Sequence, residues 1–245
     1  MFTENIINKA SFVLREIFNE YRDKGFISVY LWGSLARNDF DPIRSDVDAL
    51  VIVNSDFPTD KLIVIRKFLK ESAPEIRDFN INYIYIDELN GGEPQSPLAK
   101  ILHPRQLLLN FYNWKYVVGK RFERTDFLLN DFTYPEAVQY IKQDLYKRFI
   151  PNINNSNFDV KHFTKLLLTM CHYINCQENG KYQFSHNTLL ENSTAQTKEL
   201  ISILFKVRRS GYALDTLKPY VPKIIKFLAD LKQKSASEED AVMAG

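Results

Sequence analysis

The chain is poor in sulfur and in histidine. Its 245 residues include two cysteines and four histidines, too few and too scattered for a disulfide framework or a Cys/His metal cluster. Cys171 and Cys176 lie in an apolar helical pattern and are expected as reduced core thiols. No apolar run approaches the length of a membrane span, so no transmembrane helix is expected. The opening Met-Phe-Thr-Glu-Asn has no basic region and no long apolar stretch, so no signal peptide is expected and the cytoplasm is the expected location. A large excess of charge of one sign is missing too. A net charge of +2 makes no strong case, from bulk charge alone, for a nucleic-acid partner, and no DNA is expected. What remains is ordinary for a globular protein, 45% hydrophobic and 25% charged. The length allows one large domain or two of usual size.

One stretch carries the chemistry. Residues 31–53 read Leu-Trp-Gly-Ser-Leu-Ala-Arg-Asn-Asp-Phe-Asp-Pro-Ile-Arg-Ser-Asp-Val-Asp-Ala-Leu-Val-Ile-Val. Gly33 and Ser34 end one apolar run; Asp46 and Asp48 open the next. Residues i and i+2 of a strand share a face, so both carboxylates point the same way at the mouth of a strand. Two carboxylates so placed repel unless a cation lies between them. Mg²⁺ suits such a pair, because it takes one or two carboxylates together with substrate phosphates.

Periodicity places the remaining elements. Apolar positions Ile6, Ile7, Ala10, Val13, Leu14, Ile17, Phe18 and Tyr21 predict a helix over 4–24, capped by Thr3 and stopped by Gly25. Strands are predicted over 26–32, 47–53 and 76–86, with a short helix from Ser34 and a helix over Lys61–Lys70. That last helix is capped by Thr59 or Asp60 and turns Leu62, Ile63, Ile65, Phe68 and Leu69 inward. The Gly- and Pro-containing stretch 87–103 reads as a loop. A helix near Arg105–Phe111 and a strand near Tyr116–Val118 follow. Beyond about residue 130 only helical stripes appear, at 133–149, 160–176, 195–209 and 214–232. The expected domains are 1–129 and 130–234, with a frayed tail over 235–245. Trp32, Tyr83, Tyr85, Tyr112 and Trp114 read as core rather than as a stacking platform.

Gly-Ser, about a dozen residues, then Ser-Asp-x-Asp and a β-branched run resembles the signature of the polymerase-beta-like nucleotidyltransferase superfamily. The layout over most of the chain is similar to that of its streptomycin/spectinomycin-modifying branch. The resemblance implies an α/β (α+β) nucleotidyltransferase domain with a small mixed sheet, followed by an all-α helical-bundle domain. It implies that Gly33 and Ser34 hold nucleotide phosphates, and that Asp46 and Asp48 hold one or two Mg²⁺. Arg37 and Arg44 are candidates for phosphate pairing. Ser45 orients the turn before Asp46 and is counted with the nucleotide-binding residues.

Two departures stand out. A third carboxylate usually completes such a site from the next antiparallel strand, and that position falls on Asn80. An amide accepts a hydrogen bond from a hydroxyl but cannot take its proton. Asp78, two residues earlier and on the same face by alternation, is the substitute candidate; Glu136 is a more speculative one. In the helical half, the family's Arg falls at His172 or Tyr173, and its Ser-Lys pair falls on Ser185-His186. His186 is then the candidate phosphate contact, with Lys181 or Lys165 as the alternative source of charge.

The resemblance implies transfer of AMP from ATP to a hydroxyl of a small, aminoglycoside-like acceptor, with Mg²⁺ as cofactor and a monomer or homodimer as the assembly. Glu88, Glu93, Asp126 and Asp131 are candidate carboxylates for a cationic acceptor. Two alternatives stay open: a protein- or RNA-modifying nucleotidyltransferase of toxin–antitoxin type, and a nucleotide-binding module weakened in catalysis.

Overall fold

A computed structural model describes residues 2–37, 40, 45–74, 76, 78–180 and 188–231. The chain separates into two compact units, Met1–Phe132 and Thr133–Gly245. Among the described residues no helix is long and apolar enough to cross a membrane.

The first unit is built on a four-stranded mixed sheet. Helix α1 (Phe2–Tyr21) ends in a 3₁₀ turn at Gly25, whose φ of 94° is the left-handed stop expected there. Strand β1 (Phe26–Trp32) leads into the four-residue helix α2 (Gly33–Ala36). Strand β2 (Val47–Val53), helix α3 (Lys61–Ser72) and strand β3 (Phe79–Tyr85) follow. Next come α4 (Ile86–Leu89), α5 (Pro97–Ile101), α6 (Pro104–Leu109) and strand β4 (Lys115–Gly119). The strand order is β3-β2-β1-β4.

β1 pairs antiparallel with β2 and with β4, while β2 and β3 run parallel. The antiparallel placement expected for the strand after the Asp pair is therefore corrected. The segment between β2 and β3 contains α3, and a crossover through a helix returns the chain in the same direction.

Both sheet faces are covered, which is why β2 reads as a nearly unbroken apolar run. Val47, Ala49, Val51 and Val53 pack with Ala10, Leu14 and Ile17 of α1 and with Leu62, Ile65 and Leu69 of α3. Leu50, Ile52, Tyr30 and Ile84 pack on the other face with Leu89, Leu98, Leu107 and Phe111. Asp48 lies on this second face by alternation and is half-buried.

Three local expectations are revised. Ile63 is 76% exposed and Phe68 48% exposed, so α3 buries only its Leu62, Ile65 and Leu69 stripe. One sheet face accommodates a narrow stripe of a 12-residue helix, not five positions spread around it. Asp60 precedes α3 but makes no side-chain cap. The stretch 87–103 is not a plain loop, since it forms α4 and α5. Ser96 caps α5 by accepting the Ala99 amide, and Pro97 fits the first helical turn.

Glu88 holds this segment together. It is 2% exposed, and its carboxylate accepts the amides of Tyr85 (2.8 Å), Gln95 (2.5 Å) and Ser96 (2.7 Å). Glu88→Ala is expected to lower stability by about 3 kcal/mol, since three inward-facing donors lose a charged acceptor together. Chemical denaturation checks this; a change within about 0.5 kcal/mol overturns it.

His103 caps α6 by accepting the Arg105 amide on Nδ1 at 3.1 Å. Burial, and then Arg105, lower its pKa. The neutral ring is the capping form, so this contribution is complete above the unfolded value near 6.5 and is lost as pH falls below it. His103→Asn is expected to flatten the fall of Tm between about pH 7.5 and 5; an unchanged slope speaks against the cap.

The second unit is helical: α7 (Tyr134–Asp144), α8 (Val160–Asn179), α9 (Lys198–Arg209), α10 (Leu214–Leu217) and α11 (Val221–Asp230). α7 packs on α8, and α8 on α9. A π-helical turn over Leu145–Phe149 carries α7 on to Pro151. α9 begins three residues later than predicted, because Thr194 and Thr197 form a hydrogen-bonded turn on Asn175. The single helix predicted over 214–232 is interrupted by a 3₁₀ turn at Lys218–Tyr220, where Pro219 lies. Cys171 and Cys176 are buried and in no disulfide, as expected.

Candidate active site

The site begins with a close approach. β1 ends at Trp32, and Gly33 follows with φ +70°. A Cβ on Gly33 would lie 2.2 Å from Asp48 Oδ2, so only glycine leaves room for that carboxylate. The first residue of the Gly-Ser turn and the second Asp of the pair are therefore one packed unit.

Register builds the rest. Asp48 lies opposite Trp32 of β1 on one side and Asn80 of β3 on the other. Asn80 Nδ2 donates to Asp48 Oδ1 at 3.3 Å. One carboxylate oxygen is thus held by the Asn80 amide while the other lies against Gly33. Asp46 stands two residues earlier, half-buried, just ahead of β2. Its carboxylate makes no hydrogen bond or ion pair with the described residues. Ser34 is half-buried in α2, Arg37 is the C-cap of that helix, and Ser45 is half-buried just before Asp46.

Asp78 is placed differently from the alternation argument. It precedes β3, and its Oδ2 takes Arg66 Nη2 of α3 at 2.8 Å. Its Oδ1 accepts the Phe79 amide at 2.9 Å, and its carbonyl accepts the Val47 amide at 2.9 Å. α3 packs on the face opposite Asp48, so Asp78 is drawn away from the Asn80 side. Strand alternation does not extend to a residue outside the strand. The sequence signal for its partner was Arg66 itself, one turn from Leu62 on a helix that must cover β2 and β3.

Other candidates have structural roles. Glu136 accepts both the amide and the hydroxyl of Thr133, closing a capping box on α7. Glu88 is buried among backbone donors, Asp126 caps the Glu123 amide, and Asp131 pairs with Arg124 at 3.0 Å. Glu93 is exposed. Of these four acceptor candidates, three carry fixed local partners. Tyr112 is 75% exposed, while Trp114 is buried at 9%, so only the second matches a core aromatic. His172 and Tyr173 are both buried in α8. Arg44, Lys181, Ser185 and His186 lie outside the described residues.

Residues 14–99 match the family model of the nucleotidyltransferase domain. That span contains β1, the Gly-Ser turn, the Asp pair and β3, so this part of the chain is similar to a nucleotidyltransferase domain. Among solved structures, spectinomycin adenyltransferase AAD(9) from Enterococcus faecialis, determined with ATP and spectinomycin, is 16% identical with a TM-score of 0.49; the match covers 81% of this chain and 88% of that one. No curated protein sequence matches the chain.

Proposed function

We propose that the chain transfers AMP from ATP to a hydroxyl of a small polar acceptor of the aminoglycoside class, with release of pyrophosphate and with Mg²⁺ as cofactor. The observation that carries this reading is the packing of Asp48 against Gly33 at the end of β1. It sets the Gly-Ser turn, proposed to hold phosphate, against the second of the two aspartates.

The donor set fits Mg²⁺. Asp46 and Asp48 are hard, anionic and fixed two residues apart at the strand mouth. Among the described residues no group of three His, Cys, Asp or Glu forms a closed cage. That is compatible with an ion whose other positions go to phosphate and water. Bound there, Mg²⁺ supplies positive charge to the phosphoryl oxygens as the leaving group departs.

The protein's own groups do the positioning. Gly33 lets backbone approach a phosphate closely, and Ser34 offers a hydroxyl and an amide. Arg37 and Ser45 supply further polar contacts on the two sides of the turn. Asn80 holds Asp48 by its amide nitrogen. Its amide oxygen can orient an acceptor hydroxyl without taking the proton. The in-line displacement at the α-phosphorus then depends mainly on alignment and charge.

Asn80 also favours a second reading, a nucleotide-binding module with little turnover. Purified protein, ATP, Mg²⁺ and a panel of aminoglycosides separate the two. Pyrophosphate release dependent on one acceptor is the expected result. Absence of release across the panel rejects the antibiotic reading. ATP binding by calorimetry under those conditions then supports the module, and transfer of ATP label to protein or RNA supports the toxin–antitoxin alternative.

A further inference from the structure

A second chemical cluster lies wholly in the helical unit. A cavity of about 340 Å³ opens beside the last two turns of α8, lined by His172, Asn175, Cys176, Asn179, Leu189 and Ser193 among others. His172 and Cys176 are one helical turn apart on one face. Cys176 Sγ lies 3.3 Å from His172 Nε2 and 3.8 Å from Nδ1. Both residues are buried, at 2% and 3% exposure, but both line the cavity.

Asn175 gives the independent sign of a ligand. It is 3% exposed, and its Oδ1 accepts from Thr197 Oγ1 at 2.5 Å and from the Thr194 amide at 3.4 Å. That fixes the amide orientation. Its Nδ2 is buried with no hydrogen-bond partner, and the residue lines the same cavity. A buried donor left without an acceptor is unfavourable unless something fills the space beside it.

The other cysteine is the internal contrast. Cys171 is fully buried, and burial pushes its thiol well above the ordinary range. It does not line the cavity. Thiol chemistry needs the thiolate, a nearby proton acceptor and access. Cys176 has His172 beside it and lines the cavity; Cys171 is outside the cavity lining.

We propose that this cavity is a thiol-modification site, in which Cys176 exchanges with a small disulfide and Asn175 Nδ2 holds an oxygen acceptor of the incoming molecule. His172 takes the Cys176 proton. The thiolate attacks one sulfur of the disulfide, a new S–S bond to Cys176 forms, and the old S–S bond breaks. The departing half leaves as a thiolate and takes up the proton from His172. Cys176 is oxidised and the departing half is reduced, so no other oxidant is required. This inference is independent of the nucleotidyl-transfer reading.

The test uses the full chain and hydroxyethyl disulfide, a small neutral disulfide with hydroxyl oxygens. Native protein is exposed to it, residual thiols are blocked in denaturant, and both cysteines are mapped by mass spectrometry. Cys176 is expected to form the mixed disulfide at least about tenfold faster than Cys171. Equal rates, faster reaction at Cys171, or reaction only after unfolding overturns the proposal. His172→Gln is expected to slow Cys176 by about fivefold or more with Cys171 unchanged; an unaltered rate removes the proton-acceptor role. If that variant fails to fold, Asn175→Ala is the second arm: it is expected to weaken saturation by the disulfide, and unchanged saturation overturns the binding contact.

Discussion

Gly33→Ala is expected to reduce nucleotidyl transfer by about 10²-fold or more while the sheet stays folded. Two costs meet at this position. The backbone is at φ +70°, where a Cβ is unfavourable by about 1–2 kcal/mol. The new methyl would also stand 2.2 Å from Asp48 Oδ2, well inside contact distance. Something must move, and the atom in the way belongs to a proposed metal carboxylate. A displacement near 1 Å at a reacting centre costs about two orders of magnitude in rate. Gly91→Ala is the control. Gly91 also has positive φ, but a Cβ there meets nothing within 4 Å. It is expected to lower stability by about 1 kcal/mol and leave the rate alone. Equal activity losses in both variants would mean that backbone strain, not the Asp48 contact, is responsible.

Asp48→Asn is expected to lower transfer by about 10³-fold or more without loss of stability. The substitution preserves shape and removes one negative charge. In the absence of cation the two strand-mouth carboxylates repel, so Tm is expected to hold or rise slightly. With Mg²⁺ and ATP the comparison reverses. Ligand that binds only the folded state stabilises it, and this Tm increase is expected in the wild type and not in the variant. Asp46→Asn should behave the same way, because both carboxylates are assigned to one ion. Undiminished turnover in either variant removes the two-carboxylate mechanism, and a large Tm fall in Asp48→Asn would make its activity loss a folding effect.

Much of this fold was legible because the first unit obeys short periods. β1 and β2 fall on the predicted residues, 26–32 and 47–53, since each is an apolar run bounded by glycine or aspartate. The stripe from Ile6 to Tyr21 gives α1 for the same reason. The reading failed where a local cue had a competitor elsewhere in the chain. Ile63 and Phe68 look like core residues, but the sheet has room only for Leu62, Ile65 and Leu69. Glu88 looks like a surface carboxylate, yet three amides brought together by the bend between β3 and α5 bury it. Pairing direction is equally non-local, since it depends on the face along which α3 returns the chain.

The sequence by itself supplied the residues at the strand mouth: a Gly-Ser turn and two aspartates at i and i+2, with Asn80 where the resemblance places a third carboxylate. Those are residue identities and spacings, which are read within a few positions. Only the tertiary structure decided how they meet. It set Asp48 against the Cα of Gly33, bonded it to Asn80 across a parallel register, and turned Asp78 toward Arg66. Contacts between strands and helices far apart in sequence are fixed by how the layers pack, and no local pattern records that.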